Sequence, residues 1–322
     1  TTFVNPGCSM DETKYYLNEF ESPLFINFNK EQEYNESIKK DTKVRQIITL
    51  QQQHLNIKTF NEIKTGDIGY SDYISFNDLK LVADYYKGII NPIHGGSQNS
   101  LILFTSGSTG LPKSVVLTNQ NILASGIYMK NSTNLEPSVG EKCLVCVPFS
   151  YPYGFATSTL MSLLCGREAV LAPTLSKDNI NYYLQKNPNI IFGSPAMLEL
   201  IRRNAEDDLD LSSLHTFISG GDFLSPNQSQ EAKEFFRSHG SSKIEICNGS
   251  GNAESSGAST NAVGLEAKPE TVGKVLAGTG AIVVNPETLE ELKYGEEGML
   301  CISGKHVFKE YYKNPELTAQ AK

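Results

Sequence analysis

Apolar residues along this chain fall into two alternating rhythms: short continuous runs, and stretches in which they return every third or fourth position. Tyr15, Tyr16, Leu17 and Phe20 line one side of a helix, and Ser9 with Glu12 forms a capping box, so the first helix is predicted to start near Met10. The apolar run Pro23–Phe28, the charged helical stretch Lys30–Lys40 and the apolar run Val44–Leu50 then give a βαβ rhythm, which implies a parallel sheet. Residues 51–80 are polar and mixed and read as a long connection. A helix is expected over Leu79–Ile89, a Gly/Ser-rich turn over Pro92–Ser100 and a buried strand over Leu101–Phe104.

A second α/β stretch begins at Cys143. Strands are predicted at Cys143–Val147, Ala169–Leu171, Ile190–Phe192, Thr216–Ser219 and Ile244–Cys247, with helical patterns such as Ala196–Arg203 and Pro226–Ser238 between them. That order again argues a doubly wound sheet. From Gly273 the character changes, and Ala281–Val284 and Met299–Ser303 read as short strands around the turn-rich residues Asn285–Glu297. The fold class is therefore α/β. Two doubly wound subdomains, residues 1–142 and 143–270, are expected ahead of the start of a small β-rich unit over residues 271–322.

Composition removes several function classes. Lys and Arg number 28 against 36 Asp and Glu, and a net charge of −8 offers no general attraction to nucleic acid or anionic lipid, so any phosphate must be bound locally. No apolar run approaches the roughly 18 residues of a membrane span. Six scattered cysteines fit reduced thiols of a cytoplasmic protein better than a disulfide framework. Cys143 and Cys146 form a CxxC, but inside an apolar strand their spacing places them on opposite faces, which argues for burial rather than a redox pair. The five histidines share no metal-ligand spacing.

Phosphate chemistry enters with Thr105-Ser-Gly-Ser-Thr-Gly-Leu-Pro-Lys113, which follows a buried strand and precedes Thr118-Asn-Gln-Asn121, a helix opening. Gly107 and Gly110 let the backbone turn its N–H groups toward an anion, the hydroxyls of Thr105, Ser106, Ser108 and Thr109 add donors, and Lys113 adds positive charge. Pro112 before the lysine separates the string from the P-loop of nucleotide triphosphatases.

Composition alone would fit a surface turn. The order of residues, however, resembles the nine-residue signature of the AMP-forming superfamily that includes acyl-CoA synthetases, peptide-synthetase adenylation domains and luciferases. Further matches follow in order. Phe3-Val-Asn-Pro6 with Asp11-Glu12 is similar to the family's early helix entry, Pro148-Phe-Ser-Tyr-Pro-Tyr-Gly154 to its acyl-pocket segment and Ser219-Gly-Gly-Asp222 to its adenine-binding turn. Asn248-Gly-Ser-Gly-Asn-Ala-Glu254 is similar to the motif written Asn-x-Tyr-Gly-x-Thr-Glu, and Glu297–Gly304 with Tyr311-Tyr-Lys-Asn314 to the β-rich region beyond it. The resemblance covers essentially the whole chain and implies the acyl-CoA synthetase-like fold.

The resemblance also implies chemistry. A carboxylate attacks the α-phosphate of ATP to give an acyl-adenylate and pyrophosphate, and a thiol, of CoA or a carrier protein, takes the acyl group. Lys113 and Glu254 are the expected catalytic residues, with Thr105, Ser106, Gly107, Ser108, Thr109, Gly110 and Lys113 on the ATP phosphates. Glu254 would help hold Mg²⁺. Gly220, Gly221, Asp222, Asn248, Gly249, Ser250 and Gly251 would bind adenine, and Tyr151, Tyr153, Gly154, Phe155 and Gly249 would line the acyl pocket. Relatives that activate amino acids place an Asp in the pocket segment; residues Pro148–Ser158 contain no acid, which implies a fatty or aryl acid without an α-amino group. Three positions depart from the pattern: Ser250 replaces an aromatic residue, Ala253 a threonine and Tyr151 a histidine. These leave open a degenerate, non-catalytic nucleotide- or acyl-binding module. The family's ribose-binding Asp and mobile catalytic Lys would lie beyond Lys322, so the fragment alone is expected to be poorly active.

Overall fold

The computed structural model describes residues 1–5, 7–28, 32–50, 73–75, 95–105, 113–133, 135, 138–172, 174–262, 268 and 270–322. They divide into one compact unit of Val4–Ile93 and another of Thr1–Phe3 with His94–Lys322. The helix expected over Leu79–Ile89 lies outside the described residues.

In the Val4–Ile93 unit, helix α1 spans Met10–Glu19 and both halves of its capping box form, Ser9 Oγ accepting from Glu12 N and Glu12 Oε2 from Ser9 N at 2.7 Å. Strand β1 (Leu24–Phe28), helix α2 (Gln32–Asp41) and strand β2 (Gln46–Leu50) make the expected parallel pair. A third strand, β3 (Tyr73–Ser75), joins β2 in parallel inside the stretch read as a connection, being too short to display an apolar period. Leu17, Ile38, Val44 and Ile47 form the core of this unit.

The other unit begins with β4 (Asn99–Thr105) and β5 (Lys113–Thr118), an antiparallel pair joined by residues 106–112. The glycine-rich string therefore connects two strands of a hairpin, and it is Thr118 at the far end of β5 that caps helix α3 (Asn119–Ser132) with a reciprocal bond to Asn121. The intervening strand was hidden because Ser114–Leu117 is apolar for only three residues. Near the end of the chain the two-residue strand β15 (Glu310–Tyr311) completes this sheet by pairing with β5.

The largest sheet has the order β12-β11-β10-β9-β8-β6-β7. Strands β6 (Lys142–Val145), β7 (Glu168–Leu171), β8 (Ile190–Gly193), β9 (Thr216–Ser219) and β10 (Glu245–Asn252) are parallel, in good agreement with the sequence. Helices α5 (Ile180–Leu184), α6 (Pro195–Asn204) and α7 (Pro226–Ser238) cover one face, where Phe217 and Phe236 are fully buried. Complete burial of such side chains contributes about 1.5–3 kcal/mol each. The opposite face carries α3, a π-helical turn at Tyr153–Thr159 and helix α4 (Leu160–Leu164), and buries Phe192, Met129 and Met161. Helices on both faces make the sheet doubly wound.

Two antiparallel strands were not foreseen, β11 (Gly257–Asn261) and β12 (Lys274–Val275). Gly-Ala-Ser-Thr-Asn shows no apolar alternation, yet all of β11 is buried, because its small side chains let it pack closely. The two expected short strands, β13 (Gly280–Val284) and β14 (Met299–Ser303), pair antiparallel, and a last helix α8 spans Pro315–Ala321. No helix among the described residues is long and apolar enough to cross a membrane.

Cys143 and Cys146 sit on opposite faces of the large sheet, each in a different apolar cluster. Burial pushes their thiols up to about 11 and about 12. A raised thiol pKa keeps the unreactive protonated form through neutral and mildly alkaline pH. Alkylation of the native protein near pH 8, followed by peptide mass spectrometry, is therefore expected to label Cys301, which is only partly buried, well before Cys143 and Cys146. Labelling of all three at one rate would contradict the two-sided strand.

Candidate functional site

A cavity of about 640 Å³ opens beyond the carboxyl ends of β6, β8, β9 and β10, beside the point where the chain reverses its direction across the sheet. Val147 and Pro148 follow β6, Ser194 follows β8, Gly220 follows β9, and β10 leads through Gly251 into a turn carrying Glu254. Ligands of open α/β sheets bind at such switch points because successive loops diverge there and leave a crevice.

Tyr153 forms part of the floor. Its hydroxyl donates to the Ile218 carbonyl at 2.7 Å, and burial raises its pKa far above the usual phenol range. The phenol's polar end is thus spent inside the protein. Gly220 fits against the ring, where a Cβ would come within 3.2 Å of it.

The polar end of the cavity gathers residues from three distant segments. Thr105 ends β4 and Lys113 begins β5, paired directly opposite each other. Glu254 is fixed through its backbone, its carbonyl accepting from Phe308 N at 2.7 Å. The turn around it is held further by Ser256 Oγ donating to the His306 carbonyl at 2.6 Å and Ser125 Oγ donating to the Ser256 carbonyl at 2.9 Å. Asn121, besides capping α3, donates to the carbonyls of Lys305 and Val307 at 2.8 and 2.7 Å. This tether delivers the chain to β15, and there Tyr311 meets both charged groups. Its hydroxyl donates to Glu254 Oε1 at 2.7 Å, and Lys113 Nζ stands 5.7 Å from its ring centre. Burial, followed by the neighbouring carboxylate, drives the Tyr311 pKa strongly upward, so the hydroxyl stays a donor.

Glu254 forms no ion pair with a cationic side chain among the described residues. Nor is any group of three or more His, Cys, Asp and Glu side chains among them placed to hold a metal ion. A lone, half-buried carboxylate suits a hard cation that takes most of its ligands from phosphate oxygens and water, as Mg²⁺ does.

Of the residues singled out from the sequence, Thr105, Lys113, Tyr151, Tyr153, Gly220, Gly221, Gly249, Ser250, Gly251 and Glu254 line this one cavity. Ser106, Gly107, Ser108, Thr109 and Gly110 lie outside the described residues. Four others stand outside the cavity wall. Asp222 is exposed and its Oδ1 accepts from Phe223 N, while Asn248 donates to the Thr271 carbonyl at 3.3 Å. Gly154 is packed against the carbonyls of Val147 and Pro148, and the Phe155 ring meets Phe3 at a tilt and Phe149 edge-on, with ring centres 5.8 and 5.5 Å away. The last two support the Tyr151–Tyr153 segment rather than touching its contents. Sequence reasoning gave no site role to Tyr311, Ser194, Met197, Thr260 or Asn261. Tyr311 entered only through the Tyr311–Asn314 match, with no site role, because it lies on a strand of two residues, and β11 has no apolar period to find.

The model of the AMP-binding enzyme family matches residues 1–312. The protein named "Probable 4-coumarate--CoA ligase 1" of Dictyostelium discoideum is 27% identical over 99% of this chain and 57% of its own length. An acyl-CoA ligase of Ajellomyces capsulatus is 30% identical over 68% of this chain and 37% of its own. The chain thus spans little more than half of the first relative. Among solved structures, an anthranilate–CoA ligase in complex with anthranoyl-AMP superposes with a TM-score of 0.82 at 18% identity, covering 99% of this chain and 58% of that one.

Replacing Tyr311 by phenylalanine removes the hydroxyl held by Glu254 and leaves the ring. A buried hydrogen bond to a charged group is worth about 1.5–3 kcal/mol, and partial exposure here reduces that to about 1. Thermal or urea denaturation of Tyr311→Phe should show a loss of this size; unchanged stability would mean that the bond contributes nothing.

Proposed function

Because the chain belongs to the AMP-binding enzyme family, we propose that its cavity binds ATP and a carboxylic acid and joins them as an acyl-adenylate, which a thiol of CoA or of a carrier protein then accepts. The observation that carries this reading is the convergence on Tyr311 of Lys113 and Glu254, two charged residues of a cavity wall that is otherwise largely apolar. Charge together with apolar wall suits a triphosphate next to an uncharged acyl group.

In this reading Thr105, the string Ser106–Gly110 and Lys113 hold the β- and γ-phosphates, and Gly220, Gly221 and the β10 backbone from Gly249 to Gly251 receive the adenine. Asp222 and Asn248 adjoin these residues along the chain. Tyr151, Tyr153 and Gly249 border the acyl group. Glu254, oriented by Tyr311, would hold Mg²⁺ together with phosphate oxygens; the ion would neutralise charge on the leaving pyrophosphate. Lys113 contributes a preorganised positive charge, and the walls align the carboxylate with the α-phosphate, the two effects expected to dominate such a transfer. The absence of an acidic side chain from Pro148 to Ser158 favours a fatty or aryl acid. The six free cysteines, four of them buried, suit the cytoplasm.

A second reading, a non-catalytic nucleotide-binding module, is favoured by Ala253, a methyl group on the cavity wall where the family motif has a hydroxyl. Exchange of labelled pyrophosphate into ATP separates the two. The full-length protein is expected to catalyse acid-dependent exchange, and Lys113→Ala and Glu254→Ala should each lower it by about 10²–10³-fold, the usual cost of removing one charge-stabilising group. Nucleotide binding without exchange for any acid would establish the second reading, and variants as active as the parent would refute the residue roles.

A further inference from the structure

Two of the described residues lining the cavity bury polar side-chain atoms without a hydrogen-bond partner, Ser219 at its Oγ and Asn261 at both ends of its amide. Asn261 ends β11 and is only 6% exposed, yet neither its Oδ1 nor its Nδ2 has a hydrogen-bond partner. Buried amides are almost always satisfied, because stripping water from them without replacement is costly. An unpaired amide that borders a cavity therefore points to something bound there.

The register of β10 and β11 explains its direction. Gly249 stands opposite Asn261 and Ser250 opposite Thr260, but Gly251 stands opposite Ala258, so Ser259 is an extra residue, a β-bulge. Opposed residues share a face, and so do residues two apart on a regular strand. Asn261 thus shares the face of Gly249 and, through it, of Cys247, which packs with Phe192, Ile218 and Ala258. Without the bulge, Asn261, three residues after Ala258, would lie on the opposite face. The extra residue turns it to the side where Tyr153 and the cavity lie. Gly249 keeps it uncovered, since a Cβ there would come within 3.3 Å of Asn261 Oδ1. Met129, Val147, Ile218 and Ala258 give the same cavity apolar wall.

We propose that Asn261 selects the acid: its amide hydrogen-bonds a hydroxyl or carbonyl oxygen on the acyl group, so that oxygen-substituted carboxylic acids are preferred to plain hydrocarbon ones. The inference rests on the adenylate-forming reading and narrows its substrate class. An amide that can both donate and accept recognises either kind of oxygen, and a plain hydrocarbon would leave it buried and unsatisfied. Sites built to hydrogen-bond a substrate hydroxyl discriminate strongly against analogues that lack it, for this reason.

The test uses the full-length protein and acids matched except for one oxygen: hexanoate with 6-hydroxyhexanoate, and benzoate with its three monohydroxy isomers. kcat/KM is measured for each by pyrophosphate exchange, and ATP binding by calorimetry. In the wild type at least one hydroxylated acid should be favoured over its parent by about tenfold. Asn261→Leu should reduce that preference to about twofold or less, through KM for the hydroxylated acid, with ATP affinity unchanged, and Asn261→Ser should retain part of it. Asn261→Ala gives the same readout should the leucine side chain prevent folding. An unchanged preference in the variants, a wild-type preference for every hydrocarbon parent, or weakened ATP binding with acid selectivity intact would each overturn the proposal, the last by assigning the amide to the nucleotide base. Absence of exchange with every acid in the wild type would instead sink the adenylate-forming reading on which the proposal stands.

Discussion

A side chain on Gly251 would overlap the carbonyl oxygen of Gly257, and one on Gly257, whose φ is +115°, would overlap Thr157 Oγ1. At Gly249 a Cβ would come within 2.9 Å of the Thr260 carbonyl. The approach of β10 and β11 without side chains between their backbones is the constraint on which the cavity depends. It lets an antiparallel strand lie against the end of a parallel sheet while β10 runs on into the turn that carries Glu254. Thr157, in the π-helical turn, locks the same junction by accepting from Ala258 N at 3.0 Å. Widening this junction would move the Glu254 turn and the Asn261 amide together.

Around that junction, polar groups are brought together by tethers rather than by neighbourhood along the chain. Lys113, Glu254 and Tyr311 are far apart in sequence, and each arrives by its own device: a hairpin for Lys113, a hydrogen-bonded turn for Glu254, and the Asn121 grip on residues 305–307 for Tyr311. Asn121 serves twice, because an amide has enough donors and acceptors to cap a helix and hold a passing turn. The segments that carry the charged groups therefore rest on backbone hydrogen bonds, which leaves Lys113 Nζ and the second carboxylate oxygen of Glu254 available to a ligand.

Much of this was legible in the residues. Apolar runs over Ile190–Phe192 and Thr216–Ser219 appeared as buried parallel strands, and Pro226–Ser238 as a helix with its expected limits, because strands covered on both faces and amphipathic helices write strong periods. The CxxC of Cys143 and Cys146 resolved into two cysteines on opposite faces, as the pleat of a strand requires. Motif order also located ten residues that line one cavity. What did not show was β11, whose Gly-Ala-Ser-Thr-Asn packs by smallness rather than hydrophobicity, and the hairpin between β4 and β5, read as a strand leading to a helix.

By itself, then, the amino-acid order determined the parallel strands of the large sheet and the helices that cover it, since each of these depends on residues within a few positions of one another. Only the tertiary structure decided which of the named residues face the cavity. It withdrew Gly154 and Phe155 to the packing behind Tyr153, introduced Tyr311 as the link between Lys113 and Glu254, and through one extra residue in β11 turned Asn261 inward. Those outcomes depend on register and on long-range pairing, in which a shift of one residue reverses the face that a side chain occupies, and no local pattern records it.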